Sequence, residues 1–152
     1  MCFFGATFGI TIHMKILDKL MLRWGIQNVG LMPGNSVSEI EAAFAHLGCE
    51  ATTDVMALYS KMGGMHEMEN DAYWRLWSLT EVVERNTESS PYGILFSDHL
   101  INSWCYRLRH ETDSRSSIYI DYFDSKRPPE KLFDGLEEFF TAYERNPDSI
   151  LG

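Results

Sequence analysis

The side chains best equipped for chemistry in this sequence are few and scattered. Cys105, His110 and Asp121 are of the types that serve as nucleophile, base and orienting carboxylate. Cys105 and Asp121 fall in neighbouring alternating segments and can come close. His110 lies five residues beyond Cys105, about 16 Å along an extended strand, whereas thiol activation needs the imidazole within about 3 Å. A half-buried structural cysteine is therefore expected. Asp98–His99 follows an apolar run and reads as a turn or helix cap, with partner contact as its other use. Glu67, Glu69 and Asp71 carry hard oxygen ligands but lack the glycine and ligand spacing of a calcium loop. They read as a solvated acidic loop. Glu137 and Glu138 are neighbours in a helical pattern, so they point apart.

Cys2, Cys49 and Cys105 are odd in number, widely spaced and without a CxxC pair. No zinc site or disulfide framework is expected, and a reducing cytoplasm is the simple setting. GxSxG, phosphate-loop, GxGxxG and HExxH patterns are all absent. The expectation is a protein that is not an enzyme, with no catalytic residues, no metal and no cofactor.

The elements that would position these residues follow from periodicity and punctuation. Lys15–Trp24 predicts a short helix, broken by Gly30, Pro33 and Gly34. Ser36-x-x-Glu39 and Ser78-x-x-Glu81 are capping boxes. The first opens a helix with Ile40, Ala43, Phe44 and Leu47 on one face and Gly48 as its stop; the second opens one burying Leu79, Val82 and Val83. A further helix begins near Thr53, with Val55, Leu58, Tyr59 and Met62 inward, and Gly63–Gly64 ends it. Residues 73–77, 93–97, 103–109 and 117–123 read as strands, and connections of about 5–8 residues between the last three imply antiparallel pairing. Arg127–Pro128–Pro129 ends the sheet, and Asp134–Gly135 opens a closing helix with Leu136, Phe139, Phe140 and Tyr143 inward. The predicted architecture is α+β: N-terminal helices, an antiparallel meander of about four strands, and a closing C-terminal helix on the sheet.

The chain has 152 residues, suiting one domain, and a net charge of −9. Residues 38–152 hold 10 basic and 21 acidic side chains, so the acidity belongs to the main body. That disfavours direct nucleic-acid or anionic-membrane binding and favours a basic partner. Residues 1–13 are apolar, too short to span a bilayer, and without a signal peptide's basic start. They read either as an extension preceding a single domain at 14–152 or as an arm packing on the core or on a second chain. A monomer or weak homodimer is expected. Aromatic residues make up 13% of the chain and crowd the predicted strands, more than a small sheet with one covering helix should bury. Rim aromatics beside acidic loops are good interface material. The expected partner-binding residues are Glu67, Glu69, Asp71, Trp74, Asp98, His99, Trp104 and Asp121.

The order of five stretches resembles the SUKH superfamily, which includes a yeast cell-wall-synthesis regulator and many bacterial toxin-immunity proteins. They are SVSEIEAAFAHLG, TTDVMALYSKMGG, YWRLWSLTEVVERN, GILFSDHLINSWCYRL and LFDGLEEFFTAY, spanning about Gly34 to Leu151. Ala51–Thr52 stand where a proline is usual, and Met62–Gly63–Gly64 where an Asn-Gly turn is usual. The resemblance implies a non-enzymatic α+β domain that binds and neutralises a cognate toxin, often a nuclease. A regulatory or scaffold module, as in the eukaryotic branch, is the alternative it implies. A small-ligand binder is the third reading.

Overall fold

The computed structural model describes residues 13–67 and 70–152. The expectation for residues 1–13 lies outside them except for His13, which is exposed and pairs with Asp18 at 2.8 Å. Helices α1 (Lys15–Ile26), α2 (Val37–His46) and α3 (Thr53–Lys61) come first, with strand β1 (Leu31–Pro33) between α1 and α2. Then follow β2 (Met62–Met65), β3 (Trp74–Leu76), α4 (Leu79–Arg85), β4 (Ile94–His99), β5 (Trp104–His110), β6 (Ser116–Asp121), β7 (Glu130–Phe133) and α5 (Leu136–Arg145). A 3-10 turn, Pro147–Ile150, closes the chain.

Local chemistry accounts for the helix starts. Both S-x-x-E boxes form: Ser36 Oγ accepts from Glu39 N while Glu39 Oε1 accepts from Ser36 N, and Ser78 and Glu81 repeat the exchange. Gly48 adopts φ +74° after α2, as a left-handed stop requires. The last helix departs from expectation. Its N-cap is Gly135, with no side-chain bond, because Asp134 is engaged by Lys131 at 2.6 Å.

The meander β3-β4-β5-β6-β7 is antiparallel throughout, so the α+β architecture holds, with five strands where about four were expected. The added edge strand, β7, follows the Pro-Pro pair that was expected to end the sheet. A second, two-stranded sheet pairs β1 with β2. It overturns the expectation that Gly63–Gly64 merely stops α3. These glycines are strand residues because a Cβ on Gly63 would collide with the Pro33 carbonyl across the pair.

Period-two alternation and the register give the meander two unlike faces. Trp74, Leu76, Tyr106, Leu108, Ile118 and Ile120 are buried on one face, in a core shared with Leu17, Leu20 and Trp24 of α1 and with Phe139, Phe140 and Tyr143 of α5. Arg75, Asp98, Cys105 and Asp121 form a cross-strand row on the other. Among the described residues no helix is long and apolar enough to cross a membrane.

Candidate protein-binding surface

Register decides which of the expected residues meet. β3 starts, β4 ends, β5 starts and β6 ends at one end of the sheet. That brings Trp74, His99 and Trp104 into one cross-strand row, and Asp98 and Asp121 into the row behind it. Asp71 approaches from the loop before β3. Glu67 is exposed on that loop and makes no ion pair among the described residues. Glu69 lies outside the described residues.

The burial of these side chains corrects the expectation for several. Trp74 is not a rim aromatic but the hub of the core. Its ring lies 6.0 Å from Trp24, 5.6 Å from Phe139 and 5.8 Å from Phe140, and its indole N–H donates to Ser97 Oγ at 2.9 Å. A large ring with its one polar atom satisfied is worth most inside. Asp98 and Asp121 are buried too, and both act as scaffolds rather than as free contacts. Asp98 Oδ1 accepts from the Trp77 indole at 2.9 Å and faces Arg75 Nε at 3.6 Å, while its Oδ2 accepts from the Asn102 amide at 2.9 Å. Asp121 Oδ2 holds Arg107 Nε at 2.7 Å, and its Oδ1 accepts from the Phe123 amide at 2.8 Å. Each carboxylate thus ties a cation of the polar face to the first residues of a turn.

His99 is likewise buried. It stacks on Trp104, with ring centroids 4.4 Å apart, and its Nδ1 meets the Ala72 carbonyl at 2.9 Å. Burial holds the imidazole below its usual 6.5 against the opposing pull of the Ala72 carbonyl and of Asp98. Trp104 is half-buried, with Tyr122 on its other side at 5.5 Å, and remains available at the rim. Asp71 is exposed but internally engaged: it accepts from the Tyr143 hydroxyl at 2.8 Å and faces Arg23 at 3.5 Å.

What these residues carry is an apolar tip that the spacing did not reveal. Tyr73, Leu100, Ile101 and Phe123 project from the same end of the sheet with 55%, 48%, 80% and 56% of their surface exposed. All four, with Asn102, adopt left-handed backbone angles, φ +46° to +66°. Among the described residues only one other non-glycine residue, Asn28, does so. Leu100–Ile101–Asn102 make three such residues in succession, and β-branched Ile101 is the costliest, since its Cβ crowds the carbonyl. The conformation costs of order 1 kcal/mol per residue and persists because it is overdetermined. Leu100 N donates to the Tyr73 carbonyl, Ser103 N to the His99 carbonyl, and Arg85 to Asn102 Oδ1. On the β3 side, buried Asn70 accepts from the amides of Ala72 and Trp74 and donates to the Trp74 carbonyl. Sequence reasoning missed Asn70 because an asparagine among acidic neighbours reads as solvated loop.

Other reactive groups are placed as follows. Cys105 and Asp121 do pair across β5 and β6, but Cys105 is fully buried and its thiol is pushed up to about 12, chiefly by burial. A nucleophilic cysteine needs the opposite shift. At the far end of the sheet Glu50, His110 and Asp113, all exposed, bring one ligand atom each within 4.8 Å of one another. Chain spacing could not show this, since Glu50 arrives from the turn after α2.

The fold and this surface define an α+β domain with an apolar tip on hydrogen-bonded turns. Comparison of the chain with protein-family models, with curated proteins and with solved structures finds no match.

Proposed function

We propose that this chain is an immunity protein of the SUKH kind, which binds a basic toxin domain and neutralises it, with the apolar tip as the centre of contact. The observation that carries the proposal is the convergence of Tyr73, Leu100, Ile101 and Phe123, exposed on left-handed backbone, at one end of the sheet. Exposed apolar groups held at a cost to the fold mark a surface kept for a partner. Turn backbone already held by hydrogen bonds also loses little entropy on binding, which favours tight inhibition. The net charge of −9 supports a basic partner, because a nuclease-type toxin must be basic to hold its polyanionic substrate, and opposite charges speed capture.

The test is co-expression with a toxin domain encoded by a neighbouring gene. The wild type should protect cells. The double variant Leu100→Asn, Ile101→Asn keeps residues that tolerate left-handed backbone and should lose protection while remaining folded. Failure of the wild type to protect would remove the immunity reading. Undiminished protection by the double variant would remove the tip from it. Recovery of several unrelated host partners instead would favour a scaffold module.

A further inference from the structure

We infer that the seam between α2 and α4 is a second docking surface, shaped for a basic amphipathic segment of a partner protein. The two helices pack side by side. Two cavities open along their seam, of about 560 Å³ and about 500 Å³, with Val83 common to both. Half-buried Ala43 and Val83, above buried Leu79, form apolar wall in the smaller one; half-buried Leu47 and Ile94, above buried Phe44, do so in the larger.

The rim is acidic and short of counter-charge. Glu39 and Glu84 line the smaller cavity and Glu50 and Glu88 the larger. No lysine or arginine occurs from residue 36 to residue 60, and Arg85 is the one basic residue between 78 and 91. Arg85 is turned away from the seam, lying over the Trp77 ring at 4.3 Å and donating to Asn102 at the sheet tip. Arg109, which also lines the larger cavity, is held by the Tyr119 hydroxyl at 3.0 Å and by Glu111 at 3.8 Å. Among the described residues Glu50, Glu84 and Glu88 make no ion pair with lysine or arginine. The C-terminal ends of both α2 and α4 line the larger cavity, and their partial negative charge adds to that of Glu50 and Glu88. Arg109, His46 and His110 also line the larger cavity, but the unpaired glutamates and the two helix C-termini leave the balance in favour of a cation, and the apolar wall favours hydrocarbon beside it. Lysine or arginine side chains on an apolar scaffold combine the two. A second copy of this chain fits poorly, since its net charge is also −9.

This surface lies by Ile94 and Leu108, at the other end of β4 and β5 from the apolar tip, so it stands or falls independently of the toxin proposal. The experiment uses the full chain and a fluorescent helical peptide of leucine and lysine, with its leucine–glutamate counterpart as the opposite-charge probe. The basic peptide should bind and the acidic one should not. The variant Glu50→Lys, Glu84→Lys, Glu88→Lys should weaken the basic peptide at least about tenfold, or 1.4 kcal/mol. A charge-matched control at exposed sites elsewhere, Glu67→Lys, Glu137→Lys, Asp148→Lys, should weaken it no more than about threefold, as exposed charges at a distance are screened. Ala42→Trp, which narrows the smaller cavity without changing charge, should also weaken it. Equal loss in both triple variants would reduce the effect to bulk charge and overturn the inference. So would an Ala42→Trp variant that binds as well as wild type, or a concentration-dependent dimer that the groove variant alone abolishes.

Discussion

The two ends of the meander are built from the same strands and treated in opposite ways. At the far end the β5–β6 hairpin, residues 111–115, is polar and exposed. Backbone bonds tie its tip to α3, Thr53 N donating to the Asp113 carbonyl and Asp54 N to that of Ser114, and Glu111 Oε2 accepts from Ser117 Oγ at 2.6 Å. All five of its residues are exposed, and none is a large apolar side chain. At the near end the turns hold apolar side chains outward on left-handed backbone, and buried carboxylates fix them there. A hairpin that needed only to connect strands would use Asn or Gly at such angles. Leu100 and Ile101 sit there instead, so side-chain identity at this end answers to something other than the turn.

The comparison is broken most severely at Asp98. Asp98→Ala strips partners from the Trp77 indole, the Asn102 amide and one side of Arg75, and should cost about 3 kcal/mol. Urea unfolding would show it, and a loss under 1 kcal/mol would mean the carboxylate does not anchor the turn. Ile101→Asn should act in the opposite sense on stability, raising it by about 0.5–1 kcal/mol through relief of backbone strain, while weakening partner binding. A variant that is destabilised would show that Ile101 belongs to the fold rather than to a partner surface.

A subtler change comes from pH. Burial depresses the His99 pKa below 6.5, so its imidazole stays neutral in the folded chain at pH values where it takes up a proton in the unfolded one. Its contribution to stability is complete above pH 6.5 and is lost as pH falls through the folded pKa. Amide exchange at Leu100–Asn102 should quicken relative to the far hairpin as pH drops below 6.5, after correction for intrinsic rates. His99→Gln should remove that pH dependence. The smallest effect belongs to the far end, where Asp113→Ala should stay within about 0.5 kcal/mol of wild type because the carbonyl, not the carboxylate, makes the anchoring bond.

What could be read beforehand was what is local. Both capping boxes, the Gly48 stop, the alternation of β5 and β6 and the inward face of α5 depend on residues a few positions apart, and all are as expected. β1–β2 pairing depends on Gly63 meeting Pro33 and Gly64 meeting Met32, some thirty residues away, which periodicity does not encode. β7 has no alternation to announce it. Of the expected site residues, Trp74, Asp98, His99, Trp104 and Asp121 gather at one end of the sheet, but their burial was not legible. Trp74, Asp98 and Asp121 were expected outward and are buried, while Leu100, Ile101 and Phe123 were overlooked and are exposed. Buried carboxylates and exposed apolar turns are the exceptions to ordinary partitioning, and only register reveals them.

The proposed contact between the apolar tip and a toxin can be measured directly. The most direct measurement is the affinity of the purified chain, and of its Leu100→Asn, Ile101→Asn variant, for any toxin domain that a neighbouring gene encodes. The account predicts an affinity at least about tenfold weaker for the variant with an unfolding midpoint equal to or above that of wild type. Equal affinities would contradict it.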